Sequence, residues 1–375
     1  MAIDKRVHAV LITGDVYTSA DHNLTAQLDY VRLLHKLAQN NIQVFAVLGN
    51  HDPLEAWKAK IPFPPNVHVF PTDAVERVPL VVDGEEVAAI YGQSYAKSEQ
   101  RDNLAWKFNR AAGDRFSIGM LHTQVGSRDS TYAPCTLEDL KECGMDYWAL
   151  GHIHKHEILC EKPYVVYAGN PQGLDCTETG PRGCYYVEVG PYGTTDLEFI
   201  DTSIVRWESI DLAIDGIESV SELRESVRFA KEKVRRDIGK PTFLTVNFTG
   251  SGSMYHVLNN PEATQYWLES WREEEQGKYA FVMVERLRNL ARPKMNMDER
   301  SKLPDSVGDY LNVFDKLEKL APEEKAKALR DILMSRPEFE RLGAYGRALT
   351  DQRLLETFEK AKWLGVQKLL EHRRG

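Results

Sequence analysis

The chain has only five cysteines, Cys135, Cys143, Cys160, Cys176 and Cys184, and none stands in a Cys-x-x-Cys pair. So odd and scattered a set suggests neither a disulfide framework nor a zinc ribbon, and the thiols are read as reduced. Long apolar runs are also missing: nothing approaches the roughly 20 consecutive residues that a membrane helix needs. The segment after Met1, Ala-Ile-Asp-Lys-Arg, lacks the apolar stretch and small-residue cleavage site of a signal peptide, so a cytoplasmic location is expected. Positive charge is in deficit, with 47 Lys and Arg against 56 Asp and Glu. Proteins that coat nucleic acid draw their non-specific affinity from Lys and Arg, so any such contact here must be local. Internal repeats and low-complexity tracts are absent too. What remains is an ordinary soluble composition, 42% hydrophobic and 27% charged, that can build a sizeable core. At 375 residues that core is expected to be divided among more than one domain.

The first half repeats one arrangement. An apolar, strand-like run stops beside polar side chains of metal-binding type: Val7 to Thr13 before Gly14-Asp15, Ile42 to Leu48 before Gly49-Asn50-His51-Asp52, Phe116 to Leu121 before His122, and Tyr147 to Leu150 before Gly151-His152-Ile153-His154. Helical patterns lie between them. Leu24, Leu28, Val31, Leu34 and Ala38 recur at helical spacing, and Thr136 to Asp139 reads as a capping box. Val78 to Tyr91 reads as a hairpin around Asp83-Gly84. The fold class is therefore mixed α/β. In such sheets ligands gather beyond the carboxyl ends of the strands, where every polar cluster above falls, so the clusters can converge. After about residue 203 the pattern changes to a second, smaller α/β unit, with strands expected over Val205 to Ile214, Thr242 to Thr249 and Tyr279 to Leu287 and a helix over Ser221 to Ile238. From about residue 300 the chain reads as helical, with Tyr310, Val313, Phe314 and Leu317 on one face and Leu354, Leu355, Phe358 and Ala361 on another.

Asp15, Asn50, His122, His152 and His154 together offer one carboxylate, one neutral oxygen and three imidazoles. That set suits borderline divalent ions such as Mn, Fe, Zn or Co, whereas magnesium alone prefers more oxygen. Phosphate-ester hydrolysis needs a nucleophilic water and neutralised phosphoryl oxygens, and a pair of ions about 3.5–4 Å apart supplies both. Each piece alone has a plainer reading: Gly-Asp after a strand is common turn chemistry, Gly-Asn-His-Asp can simply shape an Asx-type turn before Pro53, and a lone strand-end His is usually a core residue. Gly-His-x-His is more specific, because residues two apart at a strand end point the same way. The ordered combination is stronger than any member.

Gly14-Asp15, Gly49-Asn50-His51-Asp52, His122 and Gly151-His152-Ile153-His154 resemble successive signatures of the calcineurin-like metallophosphoesterase superfamily. Leu121 to Gly126, Tyr147 to His154, Tyr167 to Gly173 and Glu178 to Cys184 are similar, more narrowly, to the DNA-repair exonuclease branch, the SbcD-type nuclease subunits. The resemblance covers roughly residues 7–203. It implies an αββα sandwich over residues 1–203, an α/β capping domain over 204–298 and a helical tail over 299–375. It makes Asp15 the bridging ligand of a two-manganese site, with Asn50, His122 and His152 on one ion and His154 on the other. His51 would protonate or stabilise the leaving oxygen, Asp52 would orient His51, and Asn170 would shape the substrate rim. Members of the superfamily begin with a strand ending in Asp-x-His, and no Asp-x-His occurs in this sequence. The expectation is a late start that removed the strand, with one of the two metal sites impaired.

The resemblance further implies a metal-dependent exo- or endonuclease acting on DNA and working with a coiled-coil ATPase subunit; a homodimer is a further arrangement left open. Two other readings stand beside it: a small-substrate phosphatase or phosphodiesterase, and a non-catalytic scaffold that the missing Asp-x-His would explain. Lys97, Arg101, Lys107, Arg110 and Arg115 form a basic cluster, but Glu99, Asp102 and Asp114 interleave with it, and it is read as a solvated helix face. Leu354, Phe358, Trp363 and Leu370 of the tail are expected to dock either a partner helix or the chain's own second domain.

Overall fold

In the computed structural model all residues are described except 57–60, 128, 296, 341–348 and 372–375. The chain divides into two compact units, one of Met1–Ser209, Ile238–Leu244 and Gly277–Val282, the other of Ile210–Asp237, Thr245–Gln276 and Met283–Gly375.

The first unit is a mixed α/β layered structure. Strands β1 (Ala9–Ile12), β2 (Gln43–Ala46) and β3 (Val67–Val69) form a parallel sheet in the order β1-β2-β3. A larger sheet has the order β4-β5-β6-β7-β9-β8, from β4 (Glu76–Val82), β5 (Glu85–Gln93), β6 (Ser117–His122), β7 (Tyr147–Gly151), β8 (Glu157–Glu161) and β9 (Tyr164–Tyr167). Its four central strands are parallel and its two edges antiparallel. The β4–β5 turn matches the expected hairpin, and positive φ at both Asp83 (50°) and Gly84 (85°) supplies the twist that a two-residue connection needs. Phe45, Val47 and Phe70 from the small sheet interdigitate with Ile90, Met120, Ala149 and Val166 from the large one, which explains the near-continuous apolar runs of β2, β6 and β7. The hairpin β10 (Gly183–Val189) and β11 (Thr195–Asp201) is a separate two-stranded sheet. Its Tyr185, Val187 and Leu197 pack on the same core cluster as Ala9 and Leu11 of β1.

Helices cover both outer faces. Helix α1 (Leu24–Ala38) starts at Asn23, whose side chain accepts from the Ala26 N–H, and it packs on β2. It buries Gln27, Val31 and Leu34, while Leu24 and Leu28 of the expected stripe stay exposed, so the buried face is rotated from the one the spacing suggested. Helix α2 (Leu137–Glu142) has the expected capping box, Thr136 and Asp139 bonding reciprocally, and packs its buried Leu140 beside Trp148 on the other face of the large sheet. The basic cluster is not a helix face. Only a 3-10 turn, Leu104–Lys107, lies there, and Arg101, Arg110 and Arg115 pair with Glu99, Asp146 and Glu85.

Beyond residue 203 the expected strands and helix appear at Arg206–Ala213, Thr242–Thr249, Val282–Asn289 and Val220–Ile238. The three strands form one sheet. Helices then dominate, and the apolar face of the C-terminal helix Asp351–Glu371 is used within its own unit. Leu354 and Phe358 are buried, the Phe358 ring lies 4.8 Å from that of Phe314, and Val366 joins Val307 and Leu311 in one cluster. Trp363 sits against the Arg292 guanidinium, and Leu370 lies outside the described side chains. The expectation that this face is held for a partner is corrected to that extent. No described helix is long and apolar enough to cross a membrane.

A candidate metal centre at the strand ends

Four strands deliver the site. Asp15 follows β1 by three residues, Asn50 lies in the loop after β2, His122 is the last residue of β6, and His152 directly follows β7. Asp15 (φ 55°) and His152 (φ 93°) both adopt left-handed backbone, a conformation that costs a non-glycine residue of order 1–3 kcal/mol. Two turns are therefore held against strain where the ligands sit. Glycines let the loops close: a Cβ on Gly14, Gly49 or Gly151 would stand 2.7, 2.7 and 2.8 Å from His122 Nδ1. His122 is thus clasped by glycines from three different strand ends, and it is fully buried.

The loops are also sewn together by Asp52. Its Oδ1 accepts from the N–H of Gly49 (2.7 Å) and Asp15 (3.1 Å), and its Oδ2 from the N–H of Val16 (3.0 Å). Among the described residues these backbone bonds, and none to the His51 ring, hold the Asp52 oxygens. Burial pushes the Asp52 carboxyl up, against the pull of the Gly49 and Val16 N–H groups. The backbone N–H of His51 donates to Asp15 Oδ1 at 2.8 Å, and the His51 side chain is exposed.

The electrostatics call for a cation. The Thr13 carbonyl can only accept, so His122, 2.8 Å away through Nδ1, must carry its proton there. The Nε2 edge then faces Asn50 Oδ1 at 2.8 Å and Asp15 Oδ2 at 3.3 Å, and His152 Nδ1 lies 3.2 Å from the same Asn50 oxygen. Side-chain atoms of metal-ligand type therefore converge on one another. Asp15, His122 and His152 each bring a ligand atom within 4.8 Å of the others, so this donor set fits a divalent ion. Burial alone would raise Asp15, but the His122 ring and the His51 N–H overrule it and hold the carboxyl low. Burial, reinforced by the neighbouring His122, lowers His152 to about 4, which leaves its imidazole neutral.

His154 is exposed and is not one of that triad, its Nδ1 bonded to Glu178 Oε1. Glu178 also accepts from Asn170 Nδ2 (2.7 Å) and the Leu174 N–H (2.8 Å), and Arg182 binds the His154 carbonyl. Burial works against the Glu178 charge, yet His154 and these donors keep its carboxyl low. Asn170, expected at the rim, is thereby committed to Glu178 and Arg182. Sequence patterning gave no role to Glu178, nor to Tyr132, whose ring lies 4.5 Å from His152, nor to Tyr95, whose ring is 5.3 Å from His122 and whose buried hydroxyl has no partner among the described residues. No pattern marks Glu178, which stands 24 residues from His154, or the tyrosines.

Residues 1–156 match the family described as calcineurin-like phosphoesterase. A metallophosphoesterase of Bacillus subtilis, YhaO, is 33% identical over 300 residues, which are 79% of this chain and 73% of the relative. The chain belongs to the calcineurin-like phosphoesterase family. Residues 207–292 match the middle domain described for YhaO itself, so the likeness extends past the site. More distant relatives are DNA double-strand break repair proteins Mre11: that of Sulfolobus acidocaldarius is 21% identical over 357 residues, 89% of this chain and 86% of the relative. That of Thermoplasma acidophilum is 27% identical over 276 residues, covering 69% of this chain and 71% of the relative. The family makes the chain a metal-dependent hydrolase of phosphoesters, and Asp15, His122 and His152 are its candidate metal-binding triad.

Proposed function

We propose that the chain hydrolyses phosphodiesters in DNA, as an exo- or endonuclease of DNA repair that works with a coiled-coil ATPase. The observation that carries the reading is the convergence of Asp15, His122 and His152 on the Asn50 oxygen, joined to the similarity with Mre11 proteins along most of the chain. In this reading residues 1–203 form the nuclease domain, 204–298 the capping domain and 299–375 the helical tail. Asp15, Asn50, His122 and His152 hold one ion, manganese by preference. His154 belongs to a second.

Bound there, a divalent ion neutralises phosphoryl oxygens and acidifies water. His122 fixes the donor geometry through its Thr13 bond, and Asp52 locks the Asp15 and Gly49 loops. His51, whose side chain is exposed, would give a proton to the leaving oxygen in this reading. The second site is poor in ligands: no Asp-x-His occurs in the sequence, and His154 is engaged by Glu178. Those two observations favour a second reading, a weakly active or scaffolding subunit.

Linear duplex DNA and a chromogenic phosphodiester, assayed side by side with excess Mn, separate the possibilities. The 375-residue chain is expected to show very low nuclease activity, and a version extended by a strand ending in Asp-x-His is expected to recover it. In that version His51→Ala should lower kcat roughly 100-fold, in the range of general acid catalysis, with metal and DNA binding little changed. Loss of metal binding in His51→Ala would assign it a purely structural role, and vigorous Mn-dependent cleavage by the unextended chain would refute the account of the impaired site.

A further inference from the structure

The His154 side chain is 46% exposed, yet one distant segment, 170–182, holds the residue at both its backbone and its ring. The His154 carbonyl accepts from the Asn170 N–H at 3.0 Å and from the Arg182 guanidinium. Gly169 permits that approach, since a Cβ there would stand 2.8 Å from the same carbonyl oxygen. The ring is held through Nδ1 on Oε1 of Glu178, whose side chain is only 13% exposed. The other Glu178 oxygen is filled by Asn170 Nδ2 (2.7 Å) and the Leu174 N–H (2.8 Å). Ordering a side chain costs free energy, and a half-solvated ring returns little of it through burial. What these bonds supply to His154 is a fixed orientation.

The anchor also decides which nitrogen carries the hydrogen. A carboxylate can only accept, so neutral His154 keeps its hydrogen on Nδ1 and its lone pair on Nε2, which no described residue bonds. The Thr13 carbonyl sets His122 in the same sense, through Nδ1. Metal-binding histidines commonly give their second ring N–H to a carboxylate or carbonyl, which orients the ring and strengthens the ligand. We propose that Glu178 is the positioning residue of His154: through Nδ1 it sets the tautomer and the ring plane, and so presents Nε2 as a ligand to a second divalent ion. Asn170 and Arg182 act one step further out, Asn170 by holding Glu178, and Arg182 by holding Asn170 Oδ1 and the His154 carbonyl. The proposal rests on the reading of His154 as a second-ion ligand, but the tautomer belongs to the metal-free protein and is tested there.

Glu178→Gln is the discriminating variant, because it keeps the shape and reverses the bond. Two donors face Oε2, so the single glutamine oxygen must serve Asn170 and Leu174, and its amide N–H must turn to His154. A donor at that position moves the ring hydrogen from Nδ1 to Nε2. The full chain, labelled with nitrogen-15 in its 11 histidines, is read by NMR in chelator at about pH 8, above the ordinary imidazole pKa of about 6.5. The His154 signals are assigned as those missing from His154→Asn. The wild type is expected in the Nδ1–H form and Glu178→Gln in the Nε2–H form. Zinc, which is diamagnetic, then replaces the chelator: wild-type His154 Nε2 should shift on ligation, and the midpoint should rise at least tenfold in Glu178→Gln while that of His122 stays where it was. A wild-type Nε2–H form, or a tautomer that Glu178→Gln leaves unchanged, would overturn the positioning role. The first of these needs no variant, so the test survives a Glu178→Gln chain that fails to fold. Expected tautomers with no zinc response at His154 Nε2 would instead overturn the second-ion reading on which the proposal rests.

Discussion

Gly151 shows how little freedom single positions have at the site. A methyl group there would run into the Thr13 carbonyl and stand 2.8 Å from His122 Nδ1, the pair that fixes the imidazole proton. Overpacking of this kind typically costs 1–3 kcal/mol, and the strand-end loops can relieve it only by moving apart. Gly151→Ala is expected to stay folded with a lower thermal midpoint and to bind Mn at least tenfold more weakly by calorimetry; wild-type affinity would show that the clasp is not needed. Much of the site at this scale was legible because metal-type side chains stop apolar runs: Asp15, Asn50, His122 and His152 are each found that way. The tyrosines and the brace at Asp52 were not. Asp52 donates nothing to a periodic pattern, and its partners are backbone N–H groups 36 and 37 residues distant, which side-chain types do not encode.

Among the elements, β11 ends in an ion cluster that should be visible in acid. Asp201 accepts from Ser203 N (3.0 Å) and pairs with Lys240 Nζ (2.9 Å) and with Arg206. Burial opposes its charge, but Ser203, Lys240 and Arg206 prevail and lower its pKa to about 2. A carboxyl depressed on folding adds stability that is complete above its unfolded value near 4 and disappears as pH falls toward 2. Asp201→Asn should therefore cost roughly 1–2 kcal/mol at pH 7, discounted for partial exposure, with the gap to wild type closing between about pH 4 and 2 in urea titrations. A gap independent of pH would place the loss in packing. Element by element, the sequence was read best where two signals agreed. The helix Leu24–Ala38 had periodicity and an Asn cap, and the β4–β5 hairpin had alternation and Asp-Gly. The short edge strands β3, β8 and the β10–β11 hairpin carry weak alternation and escaped, although Gly190 to Gly193 is a turn signal in plain view. The tail was read as helical but its buried stripe was misplaced, since Val313 is exposed and Leu311 buried: packing, not periodicity alone, chose the face.

For the whole molecule the relevant quantity is charge. With a net charge of −9, and with Arg77, Arg101, Arg110 and Arg115 all engaged by carboxylates, the arginines of this basic stretch are largely neutralised before any phosphate backbone meets them. DNA binding by the isolated chain is expected to be weak, with a slope of log K against log salt no steeper than about −3, as for three phosphates or fewer. A slope near −8, measured by anisotropy on duplex DNA, would reveal an extended basic footprint that this charge arrangement does not support.

The carboxylate of Asp52 gives the site a further property. Because Gly49, Asp15 and Val16 are tied by hydrogen bonds that need no ion, the receptacle stands before it is filled. Occupancy is then a matter of exchange rather than of folding. Treatment with a chelator should lower the thermal midpoint only by the linkage term set by metal concentration over its dissociation constant, leave the far-ultraviolet spectrum intact, and reverse within the mixing time when Mn returns. Unfolding on chelation, or reloading over minutes, would contradict it. A receptacle braced in this way is expected to accept any divalent ion that suits its donors, so the ion found in it should follow the supply in which the protein is prepared.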